Sequence, residues 1–239
     1  LGVYKEELIL KKLSIFLLLS LFSVSIFAYS LNDVLLNNFN TAMTLAKYEN
    51  KPSIIIFSDP TCYYCNKLKN DTLSVLSVQR FISNNFIMAE IYQTNDLATF
   101  EGKVYTYSQL FSGFGIQGTP TLFFFTPDGT PITYLPGYLG PSDFTKLLQY
   151  VALKEYVKKV DFNTFVKTPN SFIGTPQIIK ITQSQAAFIL NNDPMAKKID
   201  ALPSSGADLF LKYLVYGNDA NSIASTMLKN GFYNIYVVD

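Results

Sequence analysis

Two cysteines three residues apart, Cys62 and Cys65, follow the apolar run Ser53-Ile54-Ile55-Ile56-Phe57 and the turn Asp59-Pro60-Thr61, and they are the only cysteines in the chain. A short run rich in β-branched residues reads as a strand buried on both faces, as in a sheet covered by helices. The cysteines then open the helix that follows. The first sulfur sits at the helix N-terminus, where free N–H groups and the macrodipole favour negative charge. Its thiol pKa falls, and the thiolate is the attacking species. The second sulfur lies one turn on, within reach of a mixed disulfide formed on the first. The spacing assigns Cys62 as nucleophile and Cys65 as resolving thiol, with Tyr63 and Tyr64 between them.

The chain has no histidine. This excludes Ser-His and Cys-His catalysis by the chain itself and any His-ligated metal. Two cysteines cannot supply the four thiolates of a structural zinc site. Other readings of the pair stay open: a zinc half-site completed by carboxylates or a second chain, two inert thiols, a structural disulfide closing a small loop, or a copper(I) site on two thiolates. Hydrophobic residues make up 49% and charged residues 15%, so the chain has the material for a packed core and disorder is not expected. The net charge of +1 comes without a basic stripe, which gives no reason to expect a nucleic-acid partner. No cofactor is implied.

Lys11 and Lys12 precede an apolar run from Leu13 to Ala28, and Ala28-Tyr29-Ser30 supplies an A-x-A-like cleavage pattern. Residues 1–30 read as an export signal, with an uncleaved anchor helix as the alternative. Either way, residues 31–239 are expected outside the cytoplasm, periplasmic or similar, where disulfides are permitted.

Beyond the signal, a helix is expected from Ser30 or Asn32 to about Tyr48, then the strand at 53–57 and helical character from Cys62 to Asn84, with or without a break. Phe86–Tyr92 reads as a strand, 95–104 as a loop or insertion, Tyr105–Phe114 as a helix and Thr121–Phe125 as a strand. Pro127-Asp128-Gly129 is a tight turn into a strand at Pro131–Leu135. Ser142 is expected to cap a helix through about Lys158. The order describes one α/β domain over residues 31–158. Residues 159–178 read as a linker. A smaller α/β unit follows over 179–239, with helices at 183–191 and 220–230 and strands near 199, at 213–216 and at 234–238.

Gly118-Thr119-Pro120-Thr121 stands just ahead of a strand. An X-Pro bond so placed is a candidate for a cis peptide. A cis Pro120 would turn its flanking backbone toward the sulfurs and leave the Thr119 backbone to pair with an extended substrate strand.

These segments resemble the thioredoxin superfamily: Phe57 through Cys65, Gly118 through Phe125, and Asp128-Gly129. More narrowly, the Tyr-Cys ending of the motif, Phe100-Glu101-Gly102-Lys103 and Leu135-Pro136-Gly137-Tyr138-Leu139 are similar to SoxW-type periplasmic thioredoxins. The resemblance covers roughly residues 33–155. It implies a thioredoxin fold with a central mixed sheet flanked by helices, and a cis Pro120. It also implies a role in keeping extracytoplasmic thiols reduced, with electrons drawn from a membrane thiol transporter. The chain departs from the family where Thr61 replaces tryptophan and Tyr63-Tyr64 replaces Gly-Pro. Ile56 replaces the family's buried aspartate, and Glu90 on the neighbouring strand is the substitute acid to consider.

Ile181–Ala186, Ile199-Asp200, Leu214–Gly217 and Gly231–Val238 resemble a truncated rhodanese domain. That family's catalytic cysteine would fall near Gly217, where there is none, so sulfur transfer is not expected. The expectation for the whole is a thiol–disulfide oxidoreductase that reduces exported proteins. A disulfide-forming oxidant and a non-catalytic copper or redox-linked binding protein are the alternatives.

Overall fold

Ile54, Ile55, Ile56 and Phe57 are all buried, because their strand β2 (Ser53–Ser58) lies in the middle of a sheet with helices on both faces. The computed structural model describes residues 29–239. All but the last two residues of the expected export signal lie outside the described residues. Among the described residues, no helix is long and apolar enough to cross a membrane.

The sheet has five strands in the order β1-β3-β2-β6-β7. Strand β1 is Leu35–Leu36, β3 is Ile87–Tyr92, β6 is Thr121–Phe125 and β7 is Pro131–Pro136. β3 runs parallel to β2, and β6 antiparallel to it. Alternation along β2 separates the two core layers. Ile55 and Phe57 meet Phe39, Ala42 and Leu45 of α2 (Phe39–Glu49) and Leu110 and Phe111 of α5 (Tyr107–Gly113). Ile54 and Ile56 meet Phe81 and Ile82 of α4 (Leu76–Asn85) and Phe144 and Leu148 of α6 (Pro141–Ala152). This is the thioredoxin fold that the resemblance implied.

Several local expectations are corrected. The helix expected over 30–48 is two pieces, α1 (Leu31–Val34) and α2. Between them β1 pairs with Met88 and Ala89 at the sheet edge, and Asn38 caps α2 by accepting the Thr41 N–H at 2.9 Å. The apolar spacing runs through the break unchanged, so periodicity alone does not reveal it. The segment from Cys62, where the sequence allows a break, is α3 (Tyr63–Lys67) and a π-helical turn (Leu68–Leu73), then a break at Ser74-Val75 before α4. The loop or insertion expected at 95–104 is a separate hairpin of β4 (Leu97–Phe100) and β5 (Lys103–Thr106). Glu101 and Gly102 both take positive φ there, 50° and 74°, the conformation of a two-residue hairpin turn. Helix α6 is capped by Gly140 with Pro141 at its first position. It ends at Ala152, and Lys154 takes a left-handed conformation soon after.

The stretch expected as a linker contains α7 (Phe162–Phe165) and the start of β8 (Gln177–Ile181). It packs onto α4. Asn84 donates to the Ile173 carbonyl at 2.9 Å, and a Cβ at Gly174 would lie 2.9 Å from the Asn84 Cβ.

A second sheet is formed by β8, β9 (Ala196–Ile199), β10 (Lys212–Val215) and β11 (Asn234–Val238), in the order β8-β11-β10-β9. All its pairings are parallel. Helices α8 (Gln183–Asn192) and α9 (Ala220–Lys229) accompany it. Strand β8 begins two residues short of the expected unit, and it shows no apolar–polar alternation in the sequence because Gln177 lies on its covered face and Ile178 on its exposed one.

The two sheets share one apolar layer. Ile181, Ala186, Ile189, Leu214, Tyr236 and Val238 join the cluster that holds α2. At its rim lies a buried ionic group. The Lys212 ammonium contacts Glu49 at 2.8 Å and also pairs with Asp193. Lys51 contacts Glu49 at 3.2 Å and donates to the Ser83 carbonyl and to Asn234 Oδ1. The Tyr236 hydroxyl donates to Glu49 at 2.8 Å. Burial alone would push the Glu49 carboxyl up, but Lys212 and then Lys51 hold it down at about 2.

Candidate functional site

Strand β2 ends at Ser58, and the chain turns out of the sheet at Asp59. The Asp59 carboxylate accepts the Thr61 N–H at 2.7 Å and the Thr61 hydroxyl at 2.6 Å. Its carbonyl accepts the Cys62 N–H at 3.1 Å. These bonds hold the Asp59 carboxyl below its ordinary pKa, the Thr61 hydroxyl contributing most. They also fix the turn that delivers Cys62 to the first turn of α3.

Cys62 is the N-cap of α3, and its sulfur accepts the Cys65 N–H at 3.1 Å. Its thiol also donates to the Thr119 carbonyl at 3.2 Å. The Thr119–Pro120 peptide is cis, and this loop meets the dithiol through the Thr119 carbonyl. Burial pushes the Cys62 thiol up, but hydrogen bonds from the Cys65 and Thr119 side chains and from the Cys65 and Tyr64 backbone outweigh it. The net result lies below the ordinary thiol value. Cys65 is different: it is only 1% exposed. Burial raises its thiol, and donation to Cys62 raises it further. The Ser58 hydroxyl, the Asp59 backbone and Thr119 pull downward without cancelling the rise. Both cysteines are free thiols, Cys62 half-exposed and Cys65 buried.

Tyr63 and Tyr64 project outward, 70% and 55% exposed. They meet edge to face at 5.2 Å, and Tyr64 approaches Tyr138 at 6.4 Å. Lys67 lies over the Tyr138 ring at 5.2 Å. Beyond Thr119, whose carbonyl meets Cys62, a groove of about 390 Å³ runs along Phe114 to Thr121, walled by Tyr134, Pro136 and Gly137.

Glu90 lies in register with Ile56 on β3. Its carboxylate accepts the Tyr92 hydroxyl at 2.7 Å and pairs with Lys69 at 3.2 Å. The groups that set the Cys65 thiol are Cys62, Ser58, the Asp59 backbone and Thr119, whereas Glu90 is engaged by Tyr92 and Lys69. Cys62, Cys65, Tyr63, Tyr64, Thr119 and Pro120 therefore form one site, while Glu90 sits nearby in a separate ion pair. Ser58 is the residue that sequence reasoning missed. Its signal is a hydroxyl ending an otherwise apolar strand, four residues before Cys62. Among the described residues, no group of three or more His, Cys, Asp or Glu side chains is placed to hold a metal ion.

The sequence model of the family described as "Thioredoxin-like domain" matches residues 39–152. No curated protein matches the chain. Among solved structures, it is similar to a thioredoxin-fold protein from Helicobacter pylori at 19% identity and a TM-score of 0.49, over 69% of this chain and 95% of that one. It is also similar to a thioredoxin from Thermus thermophilus at 24% identity and a TM-score of 0.42, over 52% and 93%. The C-terminal domain of Neisseria meningitidis DsbD, in its oxidised form, aligns at 20% identity and a TM-score of 0.36, over 46% and 87%.

Proposed function

We propose that this chain, whose residues 39–152 carry the thioredoxin-like domain, is a thiol–disulfide oxidoreductase that reduces disulfides of exported proteins outside the cytoplasm. The observation that carries this reading is the asymmetry of the dithiol. Cys62 is reachable and acidified, whereas Cys65 is buried and its thiol raised. An incoming disulfide meets the Cys62 thiolate first. The Cys62 sulfur bonds to one substrate sulfur, and the other departs as a thiolate and takes up a proton. Cys65 then loses its proton and attacks Cys62, which releases the second substrate thiol and leaves the Cys62–Cys65 disulfide. Thr119 and Pro120 border the groove where an extended substrate segment would lie, and Tyr63 and Tyr64 offer exposed rings beside Cys62 for contact with the partner.

The extracytoplasmic setting rests on the Leu13–Ala28 run, and the reductive direction on the resemblance to SoxW-type thioredoxins. A membrane thiol transporter is the electron donor this reading requires. The C-terminal unit, read as a rhodanese-like remnant with no cysteine near Gly217, takes no part in the chemistry. One measurement sets the direction: the reduction potential of the Cys62–Cys65 pair, by equilibration with glutathione. A value near −270 mV is expected for a reductase, and one near −120 mV would make the chain an oxidant.

A further inference from the structure

Side chains alternate along β2, so Ser58 continues the row of Ile54 and Ile56 on the face that packs against Leu68, just beyond the helix bearing Cys65. Ser58 is 1% exposed, and its hydroxyl has no hydrogen-bond partner. A buried hydroxyl left without a partner costs free energy unless something else uses it. The other titratable groups on the elements around Cys65 are committed. Glu90 and Tyr92 on β3 bond each other, and Lys69 of the π-turn pairs with Glu90. Asp59 is held by Thr61, and Cys62 donates to Thr119. Ile56 puts no carboxylate beneath the pair.

We propose that Ser58 is the positioning residue of the second half-reaction, its hydroxyl donating a hydrogen bond to the Cys65 sulfur as that sulfur loses its proton. The proposal rests on the oxidoreductase reading and adds a residue to it. In this step Cys65 Sγ gives up its proton and bonds to Cys62 Sγ. The bond from Cys62 to the substrate sulfur breaks, and its electron pair leaves with the substrate, which takes up one proton. The two cysteines are oxidised by two electrons, and the substrate disulfide is reduced. The hydroxyl holds the transient negative charge at a sulfur that solvent does not reach.

The test uses the full chain with Ser58→Ala, Ser58→Thr and Ser58→Val. The Cys65 titration is followed by thiolate absorbance in a Cys62→Ser background. Loss of the hydroxyl is expected to raise the Cys65 midpoint by about one pH unit, a tenfold loss of thiolate. Release of a glutathione mixed disulfide from Cys62 slows by a similar factor, while alkylation of Cys62 by iodoacetamide is unchanged. Threonine restores both values, whereas valine, of the same shape, does not. That pair decides the matter even if the smaller alanine unfolds the chain. A Cys65 titration unmoved in the valine variant overturns the assignment. The titration needs no turnover, so a chain inactive on every disulfide would sink the oxidoreductase reading and leave the Ser58 result to stand or fall separately.

Discussion

Strand β2 has chemistry at both ends. Before its first residue stand Glu49 and Lys51, and after its last stand Cys62 and Cys65. At the first end every charge is buried and matched: Glu49 is 0% exposed and meets two ammonium groups and a tyrosine hydroxyl. At the other end the polar groups are only partly matched, with a half-exposed thiol, a buried thiol and the unpartnered Ser58 hydroxyl. A fully satisfied buried cluster has no low-energy alternative state, so it fixes geometry. A partly satisfied one changes protonation and bonding at modest cost, so it reacts. The same strand joins a clamp to a reactive centre.

The comparison predicts opposite outcomes for mutations at the two ends. Cys62→Ser should remove disulfide reduction by a factor on the order of a thousand or more, because no other group attacks. Its thermal unfolding should stay close to that of the reduced parent. Cys65→Ser should instead accumulate mixed disulfides, visible as a mass increase. If Cys65→Ser turns over at the parent rate, the division of roles is wrong. In the parent, the rate of attack should rise with pH through a midpoint below that of an ordinary thiol, as the Cys62 shift requires.

At the clamp, Glu49→Gln or Lys212→Met should cost about 3–5 kcal/mol of stability in urea unfolding, since each leaves a buried charge unpaired. Activity per folded molecule should barely change. Both sheets should unfold in one transition, because the cluster and the apolar layer span them. Two separated transitions would show the second sheet to be independent. The acid limb follows from Glu49, whose carboxyl is held at about 2 against an ordinary 4.5. Its contribution is fully present above about pH 4.5 and is lost as pH falls toward 2. Glu49→Gln should flatten that limb.

The smallest effects belong to the exposed aromatics. Tyr63→Ala and Tyr64→Ala should change stability by no more than about 0.5 kcal/mol, as surface substitutions do. They should raise KM for a protein disulfide several-fold and leave reaction with a small disulfide nearly unaffected. Equal losses on both substrates would mean that the tyrosines tune the sulfurs and do not contact the partner.

Much of the reactive end was legible because its signals are local. A C-x-x-C behind an apolar run and a Thr-Pro ahead of another carry their meaning within a few residues. The clamp was not legible. Lys51-Pro52 reads as a helix break, and Glu49 as an ordinary charge in a last turn. Lys212 and Asp193, which bury them, lie more than 140 residues away. Asn38 and the Glu101-Gly102 turn were missed for another reason: a cap and a positive φ interrupt the backbone without disturbing the hydrophobic pattern.

The sequence by itself determined that this chain folds around a buried strand, places a nucleophilic thiol at a helix start and does its chemistry without histidine. Only the tertiary structure decided which thiol is covered, that Glu90 is held by Lys69 and Tyr92, and that the Ser58 hydroxyl is buried without a partner. It also decided that a second sheet is locked to the first through Glu49. Hydrophobic alternation and helix caps act over a few residues and are written in order along the chain. Burial and pairing depend on what the rest of the chain brings alongside, and no neighbour in sequence reports that.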